Sequence, residues 1–176
     1  MCAANLFTAE DVAAILRENG WLPSADAAES DSDLRNWLAR AAEWLGPHTA
    51  DRAALGELLA LVFGYDAAAI LREAESQAVM SRPGARDVIR EMASRVLDGG
   101  DLDSERFKQF IEEMKAAVPW RSRALFHPIR LALAGRAGEG DLDRVILLLD
   151  EAAKLPFAVP VKGARQRTLE FCATLD

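Results

Sequence analysis

An all-α protein is the fold class predicted by the sequence, and three observations carry that expectation. Apolar residues recur at i, i+3, i+4 and i+7 in segment after segment; Gly, Pro and capping residues punctuate those stripes; and strict two-residue alternation, the mark of a half-buried strand, is hard to find anywhere. The 176 residues (19.2 kDa) are 51% apolar and 28% charged, a globular composition that argues against general disorder and low-complexity material. That length allows one well-filled domain or two small ones.

Taken in order, Thr8 is placed to cap a first helix that runs through Val12, Ile15 and Leu16 to a stop at Asn19-Gly20. Ala25 to Asp33 is small, polar and acidic and reads as a surface loop. Leu34, Trp37, Leu38, Ala41 and Leu45 mark the face of the next helix, ended by Gly46-Pro47. Thr49 is the expected cap of a helix with Leu55, Leu58, Leu59, Val62 and Phe63 on one side, interrupted by Gly64-Tyr65-Asp66. A short helical piece around Ile70 and Leu71 leads to a turn at Arg82-Pro83-Gly84. Ile89, Met92, Ala93, Val96 and Leu97 then form a stripe that Gly99-Gly100 stops. Asp103 or Ser104 can cap the helix bearing Phe107, Phe110, Ile111, Met114 and Val118, which Pro119 closes. Two further helices, Leu125 to Ala134 and Asp141 to Lys154, are joined by the glycine-rich 135–140 segment. Residues 156–163 read as extended, before a short terminal helix from Gln166 to Thr174. The expected organisation is an N-terminal helical subdomain (1–80), a C-terminal one (84–155) and a tail (156–176).

Charge is distributed unevenly. Residues 1–105 carry nine Arg and 19 acids, net −10, and the rest carries 12 cations and nine acids, net +3, within a total of −7. No acid occurs between Glu113 and Glu139, where Lys115, Arg121, Arg123, Arg130 and Arg136 accompany Trp120, Phe126 and His127. A second acid-free stretch, Ala152 to Leu169, holds Lys154, Lys162, Arg165 and Arg167. Both could lie along phosphates, but a chain of pI about 5.0 is repelled at long range, so any nucleic-acid face must be local. Neither a membrane-length apolar run nor a signal peptide is visible, so a cytoplasmic location is expected. Cys2 and Cys172 read as ordinary reduced thiols.

Catalytic constellations are missing. Two histidines, His48 and His127, without paired-cysteine spacing assemble no metal site, and no cofactor is expected. No nucleophile elbow is present, and the adjacent Glu112-Glu113 look like solvated surface. The Leu131 to Gly140 segment could be mistaken for a dinucleotide loop. It follows no β-branched run, however, and Glu139 and Asp141 would repel phosphate, so it reads as a helix connector. Of the four tryptophans, Trp37 sits at helical spacing and reads as core, whereas Trp120, between Pro119 and Arg121, is the better candidate for stacking on a base. Arg130, within an apolar segment, reads as a residue tying its helix to its neighbours.

The segment Leu125-Phe-His-Pro-Ile-Arg-Leu-Ala-Leu-Ala-Gly-Arg-Ala-Gly-Glu-Gly-Asp-Leu142, followed by Val145-Ile-Leu-Leu-Leu149, resembles the C-terminal region of bacterial glutamyl-tRNA synthetases. Upstream order agrees over roughly residues 6–155. The resemblance implies the α-helical anticodon-binding cage of a class I aminoacyl-tRNA synthetase, standing without its catalytic domain, because the His-Ile-Gly-His-like and Lys-Met-Ser-Lys-Ser-like elements are absent. His48 stands where the family commonly places an anticodon-reading arginine, Ala134 replaces the usual Thr, and residues 156–176 have no clear counterpart. The expectation is a non-catalytic tRNA-binding protein, with His48, Arg52, Trp120, Arg121, Arg123 and Arg136 as candidate RNA contacts. The alternative is a helical protein-interaction module that has lost RNA binding.

Overall fold

The computed structural model describes residues 6–23 and 25–176; Cys2 lies outside them. The described residues contain helices and turns and no strand. In order they form α1 (Ala9–Glu18), α2 (Ala25–Ser30), α3 (Ser32–Leu45), a 3-10 turn (Gly46–His48), α4 (Arg52–Phe63), α5 (Ala67–Arg72), α6 (Ala74–Met80), α7 (Ala85–Asp98), α8 (Ser104–Ala117), α9 (Arg123–Ala134), α10 (Asp141–Ala152) and α11 (Ala164–Leu175). The all-α expectation holds.

Local chemistry sets the helix starts. Thr8 forms a reciprocal capping box with Asp11: its hydroxyl accepts from Asp11 N (3.2 Å), while the Asp11 carboxylate accepts from Thr8 N (2.7 Å). Asp103 caps α8 by accepting from Arg106 N. The cap of α4 is Asp51, which accepts from Ala54 N (2.8 Å), and not Thr49, whose hydroxyl turns back to donate to Gly46 O (2.9 Å). The loop expected at 25–33 is instead the short helix α2 and the start of α3, capped by Asp31. Glu113 is not simply solvated: it lies 3.2 Å from Arg95 and 3.3 Å from Arg106, tying α8 to α7.

Helix packs on helix throughout, α1 on α3, α3 and α4 on α10, α10 on α9, α9 on α7, and α11 on α5, α7 and α9. Trp37 is fully buried, donates from Nε1 to Leu148 O (3.0 Å) and meets Phe157 edge-on at 5.1 Å. Phe157 also packs edge-on against Phe63, which stacks on Trp21 at 4.9 Å, so an aromatic cluster anchors the helix-free 156–163 segment, which bends at Ala158 and Val159 where an extended run was expected.

Two helix ends meet at one side chain. The last carbonyls of an α-helix have no partner within the helix. Here Arg167 of α11, wholly buried, donates to Leu61 O (3.0 Å) and Val62 O (2.7 Å) at the end of α4, to Leu133 O (2.9 Å) at the end of α9, and to Lys162 O (2.7 Å). Tyr65 completes the closure, donating to Ala132 O (2.6 Å) beneath the guanidinium, which lies 4.6 Å from its ring centroid. Burial lowers Arg167 to a pKa of about 10, so it remains cationic at neutral pH and faces carbonyl oxygens at the negative ends of two helix dipoles.

Candidate nucleic-acid interface

The turn into α9 gathers candidates from several elements. Gly84, at φ +84, opens α7, and a Cβ there would lie 2.0 Å from the Trp120 ring; the missing side chain is what lets the half-buried indole settle on the backbone. Ser122 is held at φ 53 and ψ −132, a conformation strained for a non-glycine residue, and gives α9 no side-chain cap. Arg121 folds back over α8: Nη1 donates to Val118 O and Trp120 O (both 2.7 Å) and Nη2 to Lys115 O (2.5 Å). Its guanidinium therefore closes the C-terminal end of α8. Arg123, with 77% of its side chain exposed, pairs with Glu139 at 3.7 Å.

The connector after α9 is drawn back against the helix. Arg130 donates to both Asp143 oxygens (2.8 and 3.0 Å) and to Gly138 O (2.8 Å), the tying role expected of it. Ile129 to Ala134 is helix, so the glycine-rich segment follows no strand and connects two helices. Arg136 on that connector is exposed and has no hydrogen-bond or ion-pair partner among the described residues.

Two residues outside the candidate contacts join this face, one of them, His127, already noted in the acid-free stretch. Arg82, exposed in the turn before α7, approaches His127 of α9 with Nη1 3.0 Å from Nδ1. Nε2 of His127 is buried without a partner among the described residues. Burial first, then the charges of Arg82 and Arg123, hold this imidazole below its ordinary range; Glu139 acts the other way. Arg82 lies in the acid-rich part of the sequence, so nothing in its neighbourhood along the chain pointed to it.

His48 and Arg52 occupy another corner. His48 is exposed at the end of the 3-10 turn, where Gly46 packs on Phe7. Arg52 makes a two-pronged pair with Glu18 of α1 (2.8 and 2.7 Å), which holds the Glu18 carboxyl below its ordinary range. No hydrogen bond or ion pair among the described residues joins this corner to the α9 turn.

The second acid-free stretch supplies no free row of cations. Arg167 is inside the protein; Lys162 pairs with Glu170 (2.6 Å) and donates to Tyr65 O; Lys154 pairs with Asp101; and Arg165 donates to Leu97 O. Segments free of acid in sequence find acids and carbonyls in space. A cleft of about 530 Å³ between α3, α10 and the start of α8 contains none of the candidates; Asp101, Asp103, Glu105 and Glu151 among its walls disfavour phosphate.

Among the described residues, no helix is long and apolar enough to cross a membrane. No family model and no solved structure matches the chain. The "Glutamate--tRNA ligase 2" of Syntrophus aciditrophicus (strain SB) is 27% identical over 121 residues, which covers 65% of this chain. The chain spans only 23% of that ligase's length. This similarity supports a distant relation between the chain and a glutamate–tRNA ligase.

Proposed function

We propose that the chain is a non-catalytic tRNA-binding protein of the anticodon-binding-domain type, which takes RNA on the face around the start of α9. The observation that carries this reading is the convergence there of Arg82, Arg123, His127 and the half-buried Trp120, with Glu139 the acid that faces His127. Exposed guanidinium groups position a phosphate backbone, and an indole offers a stacking surface to an unpaired base. Arg123 and Arg136 take the phosphate role most directly, because neither is spent on the protein's own carbonyls. Arg121 contributes charge while closing α8. His48, at its separate corner, is assigned the reading of the anticodon, Arg52 beside it being paired with Glu18, and the relation to a glutamate–tRNA ligase favours tRNA as the RNA.

The test is a mobility-shift titration of purified protein against bulk tRNA, with the 260/280 nm absorbance ratio followed before and after RNase. Binding is expected at low salt, with a log–log salt slope of roughly 0.7 to 0.9 per neutralised phosphate. No shift at low salt, for wild type and for His48→Arg alike, rejects the RNA reading in favour of a helical protein-interaction module. Pyrophosphate exchange with glutamate and ATP is expected to stay at background; exchange above it would reject the non-catalytic assignment.

A further inference from the structure

We propose that Arg82 and His127 form a clamp for one phosphodiester group, and that the clamp closes with uptake of a proton. The inference rests on the assignment of this face to RNA and adds its regulation. In the free protein the Arg82 guanidinium donates from Nη1, 3.0 Å from His127 Nδ1. Nδ1 must then be the acceptor, so the imidazole is neutral with its proton on Nε2. That proton is buried and unpartnered among the described residues, which makes this tautomer costly to keep.

Protonating Nδ1 would set two donors against each other, N–H against N–H, and break the contact. A phosphate arriving between them reverses the balance, because its oxygens accept from Arg82 and from Nδ1–H of an imidazolium together. The charged groups facing His127 are Arg82 from the turn before α7, Arg123 and Arg130 from α9, and Glu139 from the connector. Arg130 is held by Asp143, and Arg123 lies near Glu139. The surroundings thus oppose protonation until an anion supplies the missing charge, and the proton comes from solvent.

Two experiments test this. Proton NMR of the ring Cε1–H resonances, in sodium chloride and then in sodium tripolyphosphate at matched ionic strength, follows both histidines, His48 and His127. Tripolyphosphate should raise the titration midpoint of His127, and Arg82→Gln should abolish the rise while leaving an exposed turn intact. An unchanged midpoint overturns the clamp whether or not RNA binds. In the second experiment, tRNA affinity is measured at pH 5.5 and 7.5. It should strengthen toward low pH by at most about tenfold per unit, the limit for one proton. His127→Gln should remove this slope, and His48→Gln should keep it whatever else it does to affinity. A slope that survives His127→Gln, or is lost only with His48→Gln, also overturns the proposal. A raised midpoint with no tRNA binding keeps the anion clamp and rejects RNA as its ligand.

Discussion

Replacing Arg167 with Met tests the junction of α4, α9 and α11, because Met fills a similar space and removes every donor. Four carbonyls, Leu61, Val62, Leu133 and Lys162, lose their partner. A buried acceptor left unsatisfied costs about 1–3 kcal/mol, which bounds the gross loss at roughly 4–12 kcal/mol. Against this stands relief from burying a guanidinium, several kcal/mol in a real protein. Mid-range values, about 8 kcal/mol lost at the carbonyls against about 4 kcal/mol relieved by no longer burying the guanidinium, leave a net loss of roughly 3–5 kcal/mol. With a urea slope of about 2 kcal/mol/M the unfolding midpoint should drop by roughly 1.5–2.5 M. Arg167→Lys keeps the charge but not the planar fork that reaches two helix ends, and should lose an intermediate amount. Amide exchange gives the mechanism: protection should fall in the last turns of α4 and α9 and stay unchanged in α1. A Met variant within about 1 kcal/mol of wild type, or a uniform loss of protection, refutes the double-cap account.

Tyr65→Phe deletes the 2.6 Å bond to Ala132 O and should cost about 1–2 kcal/mol in urea unfolding, with helix content unchanged. Gly84→Ala places a methyl where the Trp120 ring lies and forces a side chain onto φ +84; a loss of about 2 kcal/mol is expected. A red shift in the Trp120 emission, isolated by difference from Trp120→Phe, would report the displaced ring. Arg123→Ala should leave the melting temperature unchanged and lower the tRNA salt slope by about 0.7–0.9, whereas Arg121→Ala should lower the melting temperature as well, since it uncaps α8. Thermal melts paired with salt-titrated filter binding separate the two.

Most helices were legible because each pairs an apolar stripe with an end signal. Thr8 and Gly20 bracket α1, and Asp103 and Pro119 bracket α8, in both cases through chemistry confined to one turn. What escaped lacked such a stripe. α2 is built from ADAAES, and α6 buries only Ser76 and Val79 on its short face, so neither shows a run of apolar positions. For α4, Thr49 and Asp51, two residues apart, are both competent caps by residue type, and only the bond from Ala54 N decides for Asp51. α11 was visible as a helix, but its role was not, since the carbonyls that Arg167 meets on α4 and α9 lie 106, 105 and 34 positions away.

The candidate site was legible as composition and illegible as geometry, and charge explains why. A count along the chain weights every cation alike, but Arg52 is taken up by Glu18, Arg121 by the end of α8, Arg130 by Asp143 and Arg167 by the core. The cations left for the proposed face are the remainder, and that remainder includes Arg82, drawn from the part of the sequence that carries net −10. Screening decides whether the other acids matter: at physiological salt the Debye length is about 8 Å, so carboxylates on distant helices contribute little at the α9 turn, while Glu139, 3.7 Å from Arg123, contributes fully. A chain of net charge −7 can therefore present a locally cationic face, and the single acid that most weakens it is on the α9–α10 connector. Glu139→Gln raises the total charge by one unit, as the loss of any acid would, but by its position it should strengthen a polyanion's hold there most, which salt-titrated binding would show.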